Sequence, residues 1–153
     1  MQRANLCADE VIQTYADEAF RLFKDGYYCS EAVTITYEKA LGVEFPDELK
    51  KAMTALVEGI GATGCICGAL NASVILLSSR IGRTDNITSP ARTEKLSAEI
   101  MKGFKQEMGA TCCRTIKKSS SKAFGIGQYR SCRRCIDTAV KLLLNISCRE
   151  NII

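Results

Sequence analysis

The sequence predicts an all-α protein, a single domain built as a bundle of five to six helices. Apolar residues recur at helical spacing in several segments, and no alternating strand of useful length is present. The two prolines, Pro46 and Pro90, both stand where helices should begin, which leaves little room for the turns of a β-sandwich. With 153 residues, of which 46% are hydrophobic and 25% charged, the chain can bury one core.

The first three helices are bounded by capping residues. A helix is expected over residues 5–24, where apolar positions repeat at helical spacing. Ser30 can cap a second helix, which should stop at Gly42. Pro46 fits the first position of a third helix, whose apolar face continues to Ile60.

A glycine-rich loop is expected to lead into the central helix. The segment "EGIGATGCICG" carries four glycines, a density typical of backbone that approaches another group closely. The helix that follows, over about 68–79, has apolar or small residues on every side. Such a helix is normally surrounded by others, so we expect it at the centre of the bundle.

The second half should contain two more helices and a loop. Ser89 and Pro90 open a fifth helix that ends at Gly109. The polar segment "KKSSSKAFGIGQYR", residues 117–130, is predicted to be a mobile basic loop. Ser131 is expected to cap the last helix. No internal repeat or second domain is evident, so residues 1–153 are taken as one cysteine-rich helical domain.

Cysteine is abundant and histidine is absent. The chain has nine Cys and no His. The absence of His excludes Cys–His and Ser–His–Asp catalysis, mixed Cys/His zinc sites and haem ligation through His. No signal-peptide pattern and no apolar run of about 18 residues is seen, so a cytoplasmic protein without a membrane span is expected. In that setting clustered cysteines favour metal or redox chemistry over a disulfide framework.

Most cysteines lie at predicted helix ends. Helix N-termini favour thiolate, which lowers the pKa of a thiol there. Cys7 and Cys148 lie near the chain ends and are expected only to pack as small apolar residues. The other seven fall in four groups: Cys29; Cys65 and Cys67; Cys112 and Cys113; Cys132 and Cys135.

Two chemistries are open from the cysteine spacing alone. Cys65-Ile-Cys67 and Cys132-Arg-Arg-Cys135 could together hold zinc, or copper, through thiolates in a helical module without redox activity. Either pair could instead cycle between dithiol and disulfide, although no thioredoxin-like βαβ pattern surrounds them.

The order of the segments "YCSEAV", "GCICGAL", "CCR" and "SCRRCIDTAVKLL" resembles a family of redox-active proteins named for its C_GCAxxG_C_C cysteine pattern. The resemblance extends from about Tyr15 to Leu144 and implies a helical, cysteine-based redox protein, often from anaerobes. The chain is also similar to the cysteine-bearing domain of split-Soret cytochromes, which implies an iron–sulfur cluster. An electron-transfer protein is therefore favoured over an enzyme with its own substrate.

The resemblance also implies a ligand set. Cys29, Cys67, Cys113 and Cys132 match the four cysteines of the pattern and would bind a [2Fe–2S] or [4Fe–4S] cluster. Three cysteines are additional, so that Cys65 could replace Cys67, Cys112 could replace Cys113, and Cys135 could add a redox thiol. Gly64 and Gly68 would let backbone approach the cluster, and Arg114 and Arg133 would lie beside its ligands and favour the reduced form.

A basic segment suggests a partner. Residues 102–134 carry nine basic side chains and one acidic one, Glu107. These charges could balance an anionic cluster, dock an acidic electron-transfer protein or simply face solvent. A net charge of only +4 and the lack of a known motif argue against nucleic acid. The oligomeric state is open between monomer and homodimer.

Overall fold

A computed structural model describes residues 6–120 and 126–153, and it confirms an all-α single domain. Within these residues no helix is both long and apolar enough to cross a bilayer. The helices are α1 (Asp9–Lys24), α2 (Cys29–Leu41), α3 (Asp47–Thr54), α4 (Gly68–Ile81), α5 (Ala91–Met108), α6 (Cys113–Ser120) and α7 (Ile126–Arg149).

Helix α4 lies at the centre of the bundle, as its composition predicts. It packs against α2, α5 and α7, and α7 in turn packs against α1, α2, α5 and α6. Leu70, Leu76 and Leu77 of α4 are fully buried, as are its small residues Ala69 and Ala72. Small side chains let the neighbouring helices approach, and the leucines fill the space between them.

The predicted helix stops are confirmed at two glycines. Gly42 and Gly109 follow α2 and α5 with φ of +65° and +75°, the left-handed conformation that glycine adopts at least cost. The predicted start of α2 is wrong by two residues, because the cap position is Tyr28 and Cys29 is already helical. Ser30 therefore does not cap the helix; it is buried, and its hydroxyl donates to the carbonyl of Met53 at 2.8 Å.

The third helix is shorter than predicted, since α3 ends at Thr54 rather than at Ile60. The chain then passes through five consecutive residues, 58–62, with positive φ. Three of them (Glu58, Ile60 and Ala62) are not glycine, and such residues cost roughly 1–2 kcal/mol each in this conformation. The surrounding contacts must offset that cost, which makes this loop a specifically held structure rather than a passive linker.

The prediction of a loop over residues 117–130 is wrong at both ends. Residues 117–120 belong to α6, and α7 begins at Ile126 rather than at the predicted cap Ser131. Residues 121–125 lie outside the described part of the chain. The serines and glycines of this segment favour a loop, but packing of α6 against α7 overrides that local preference.

The two terminal cysteines form a disulfide bond, Cys7–Cys148. The expectation that they serve only as small packing residues is therefore wrong. The bond joins the beginning of the described chain to the end of α7, across 141 residues of sequence. Sequence spacing does not indicate this pair, because only the folded arrangement of the helices brings the two cysteines together.

Candidate functional site

Five thiols from four separate parts of the sequence meet around the N-terminus of α4. The charges of Cys67, Cys132 and Cys113 all raise the pKa of Cys29, and those of Cys67, Cys132 and Cys29 raise that of Cys135. Charges act on a thiol in this way only at short range, so these groups share one site. We call it the thiol cluster: Cys29, Cys67, Cys113, Cys132 and Cys135.

Cys67 is the most acidic thiol of the cluster. Its pKa falls from 9.0 to about 7, first because the Cys135 thiol donates a hydrogen bond to it, and further through the backbone N–H groups of Leu70 and Ala69. These amides belong to the first turn of α4, as expected for a thiol at a helix N-terminus. The same hydrogen bond, together with burial, strongly raises the pKa of Cys135. The pair therefore favours a Cys67 thiolate beside a protonated Cys135.

Burial opposes ionisation at the other three thiols. It is the largest cause that raises the pKa of Cys29 to about 12 and that of Cys132 to about 11, and it also raises the pKa of Cys113. A low pKa was expected at helix starts, yet Cys29 and Cys113 begin α2 and α6 and burial still dominates. Cys132 has no such advantage, because α7 begins six residues before it at Ile126.

A lysine supplies positive charge to the cluster. The ammonium of Lys117 lowers the pKa of Cys67, Cys113 and Cys132, and it pairs with Glu58 at 3.1 Å. Lys117 was not among the predicted site residues. A signal was available, since Lys117 follows Cys113 by four residues and so lies on the same face of a helix.

Two glycines predicted to lie near the site allow close approaches, Gly68 at the thiol cluster and Gly64 beside Arg114. A Cβ atom on Gly68 would lie 2.5 Å from the carbonyl oxygen of Leu56 and 2.9 Å from the sulfur of Cys29. A Cβ atom on Gly64, where φ is +90°, would lie 2.9 Å from the Cβ of Arg114. Only glycine fits either position without movement of its neighbours.

Cys65 and Cys112 form a second, more exposed pair outside the cluster. Their sulfur atoms are 2.7 Å apart. The pKa of Cys65 is raised, chiefly by its contact with Cys112, and the nearby Arg114 opposes that rise. We call Cys65 and Cys112 the surface pair. Between the alternatives left open by the sequence, the structure brings Cys67 and Cys113 into the cluster and leaves their neighbours at the surface.

The two predicted arginines have partners of their own. The guanidinium of Arg114 donates to the carbonyl of Thr63 in the glycine-rich loop. That of Arg133 pairs with Asp17 at 3.3 Å and lies 5.0 Å from the ring centre of Phe20. These contacts tie α6 to the loop and α7 to α1, and Lys117 is the cation whose charge reaches three thiols of the cluster.

The donor set of the cluster suits metals that prefer sulfur. Thiolate ligands favour iron–sulfur clusters, zinc and copper(I). Across residues 6–120 and 126–153, however, no three Cys, His, Asp or Glu side chains are arranged to hold a metal ion. The residues therefore fit a thiolate-bound centre by their chemistry, and ligation would require the thiols to turn toward a common point.

The chain resembles a protein family rather than any one curated protein or solved structure. No curated protein and no solved structure matches the chain significantly. A family model does match, over residues 27–146, a span that includes the thiol cluster and the surface pair and leaves out Cys7 and Cys148. Because this match covers most of the sequence, the chain belongs to the family described as "Putative redox-active protein (C_GCAxxG_C_C)", a family of redox-active cysteine proteins.

Proposed function

We propose that the protein transfers electrons through an iron–sulfur cluster bound by Cys29, Cys67, Cys113 and Cys132. When bound, such a cluster would supply reversible uptake of one electron. Membership of a redox-active family is consistent with this role.

The observation that carries the proposal is the gathering of thiols from α2, α4, α6 and α7 at one place. Without a bound centre these thiols stay protonated, because burial and mutual repulsion make their thiolate forms costly. A bound cationic centre would offset the costs of burial and of mutual repulsion by giving each thiolate a positive partner. Core packing alone gives no reason for five of them to meet.

The chain's own charges would assist such a centre. Lys117 stabilises negative charge on Cys67, Cys113 and Cys132. The first turn of α4 adds the N–H groups of Ala69 and Leu70 at Cys67. Both features favour the ligands in their thiolate form, and Lys117 also favours the reduced, more negative state of the site.

The test is anaerobic production of the full chain with iron, followed by iron, sulfide and visible-absorption measurements. We expect a brown protein with iron and acid-labile sulfide in stoichiometric amounts. Cys29→Ser and Cys132→Ser should lose most of this iron, whereas the matched variant Cys65→Ser, altered outside the cluster, should retain it. Colourless, iron-free wild-type protein from this preparation would rule out the iron–sulfur function.

A second candidate is a thiol–disulfide function at the pair Cys67 and Cys135. The hydrogen bond between them and the pKa of Cys67, about 7, are the features of an attacking thiolate next to a resolving thiol. In that case oxidation of metal-free protein should join the tryptic peptides 52–80 and 135–141. Thiol trapping and mass spectrometry would detect this link, and its absence would leave the metal centre as the remaining candidate.

We further propose that the electron partner is acidic. Arg114, Lys118, Arg133 and Arg134 are exposed on or beside the elements that carry the cluster. Such charge would speed association with a negatively charged protein, and salt would slow it. Electron-transfer rates with acidic and basic test partners over a range of ionic strength would decide the matter. Rates that are independent of salt would contradict the proposal.

A further inference from the structure

The two thiols of the surface pair lie close together, outside the thiol cluster. The sulfur atoms of Cys65 and Cys112 are 2.7 Å apart, only about 0.65 Å beyond the length of a disulfide bond. Cys65 is exposed and Cys112 is partly exposed, so dissolved thiols and disulfides can reach them.

The backbone holds the two segments of the pair in place. The N–H of Cys67 donates to the carbonyl of Thr111 at 2.8 Å, and the N–H of Arg114 donates to the carbonyl of Gly64 at 3.0 Å. These two bonds lie on either side of the pair and align the segments antiparallel. A disulfide could form between segments already fixed in this way with little backbone movement.

We propose that Cys65 and Cys112 are a reversible dithiol–disulfide couple that exchanges with disulfide substrates, independently of the thiol cluster. One thiolate attacks an external disulfide and forms a mixed disulfide, releasing the first external thiol. The second thiolate then displaces the remaining one, forming the Cys65–Cys112 bond. In the balance two S–H bonds of the protein become one S–S bond. The external disulfide takes up two electrons and two protons to give two thiols.

The oxidised pair would covalently join the segments that carry Cys67 and Cys113. Each of these cluster thiols is one or two residues from a member of the pair. The state of the surface pair therefore determines how far those two segments can separate. The exchange reaction needs no bound metal, so its outcome does not depend on the proposed iron–sulfur function.

The experiment uses reduced, metal-free full-length protein and oxidised glutathione as the probe. After acid quench and alkylation of free thiols, trypsin should release a disulfide-linked peptide that joins residues 52–80 to 106–114. This link differs from 52–80 joined to 135–141, which reports Cys67 with Cys135. We expect the 52–80/106–114 link to form in most molecules and to disappear on treatment with dithiothreitol.

Variants assign the bond within these peptides, since each contains two cysteines. Cys65→Ser and Cys112→Ser should each abolish the link, while the matched changes Cys67→Ser and Cys113→Ser should leave it. Circular dichroism checks that each variant is folded. Persistence of the link in Cys65→Ser, or accumulation of glutathione adducts on both cysteines in place of the link, would overturn the proposal. Unchanged iron content in Cys65→Ser would separate this result from the test of the iron–sulfur function.

Discussion

Replacement of Gly68 by Ala tests whether the first turn of α4 is packed as tightly as the structure indicates. The new Cβ would lie 2.5 Å from the Leu56 carbonyl oxygen and 2.9 Å from the Cys29 sulfur, whereas ordinary contacts begin at 3.4 Å. The neighbours would have to retreat by about 0.9 Å and 0.5 Å. Overpacking of this kind costs about 1–3 kcal/mol, and replacing a helical glycine by alanine returns roughly 0.5–1 kcal/mol. We expect a net loss of about 0.5–2 kcal/mol in the free energy of unfolding.

Urea denaturation of the reduced, metal-free protein would measure this loss. Gly103→Ala is the matched control, because Gly103 is also helical but its added Cβ would meet only the end of the Leu142 side chain, at 2.8 Å. A flexible side chain can turn away where a backbone carbonyl cannot, so we expect this control to stay within about 1 kcal/mol of the wild type. Equal stability of Gly68→Ala and the wild type would show that α4 is not fixed against Leu56 and Cys29.

Three further results are expected. Lys117→Met should raise the pKa of Cys67, so the pH profile for alkylation of Cys67 in metal-free protein should move to higher pH. The control Lys105→Met changes an exposed lysine on α5 and should leave that profile in place. Equal profiles for the two variants would show that Lys117 does not act on Cys67. Metal-free protein should lose stability as the pH rises above about 9, because the cluster thiols with raised folded-state pKa values hold protons that the unfolded chain releases. A free energy of unfolding that does not change from pH 8 to 10.5 would contradict these shifts. Replacing both Cys7 and Cys148 by Ser should lower the free energy of unfolding by about 3–5 kcal/mol, the range for closing a long loop; denaturant midpoints that do not differ would show that the bond constrains little.

Local signals in the sequence predicted where α2 and α5 end, but not where α3 ends or that α6 exists. Gly42 and Gly109 end α2 and α5 because a left-handed residue there satisfies the last carbonyls, and this preference is local. The end of α3 depends instead on the loop at 58–62, which folds back against the segment that follows it. The approach is so close that a Cβ on Gly59 would lie 2.6 Å from the backbone nitrogen of Cys65. A contact of this kind forms only in the folded chain, so periodicity alone extends α3 too far.

The candidate site was predictable in its members but not in its electrostatics. Family resemblance named Cys29, Cys67, Cys113 and Cys132, and the structure places these four with Cys135 in the thiol cluster. Helix starts alone could not separate Cys67 from Cys65. The pKa values depend on how deeply each thiol is buried, which the sequence does not state. Burial raises the pKa of Cys29 at a helix start, whereas the hydrogen bond from Cys135 lowers that of Cys67 although Cys67 is buried too.

The disulfide between Cys7 and Cys148 makes the polypeptide between them a covalent ring. A single cut in a ring opens it without releasing a piece. The exposed connection between α4 and α5 includes Arg83, so trypsin could cut there and leave residues 1–83 and 84–153 joined. One half then contributes Cys29 and Cys67 to the cluster, and the other half contributes the rest. A nicked molecule would thus keep the two parts of its thiol cluster tethered until a reductant opened the terminal bond.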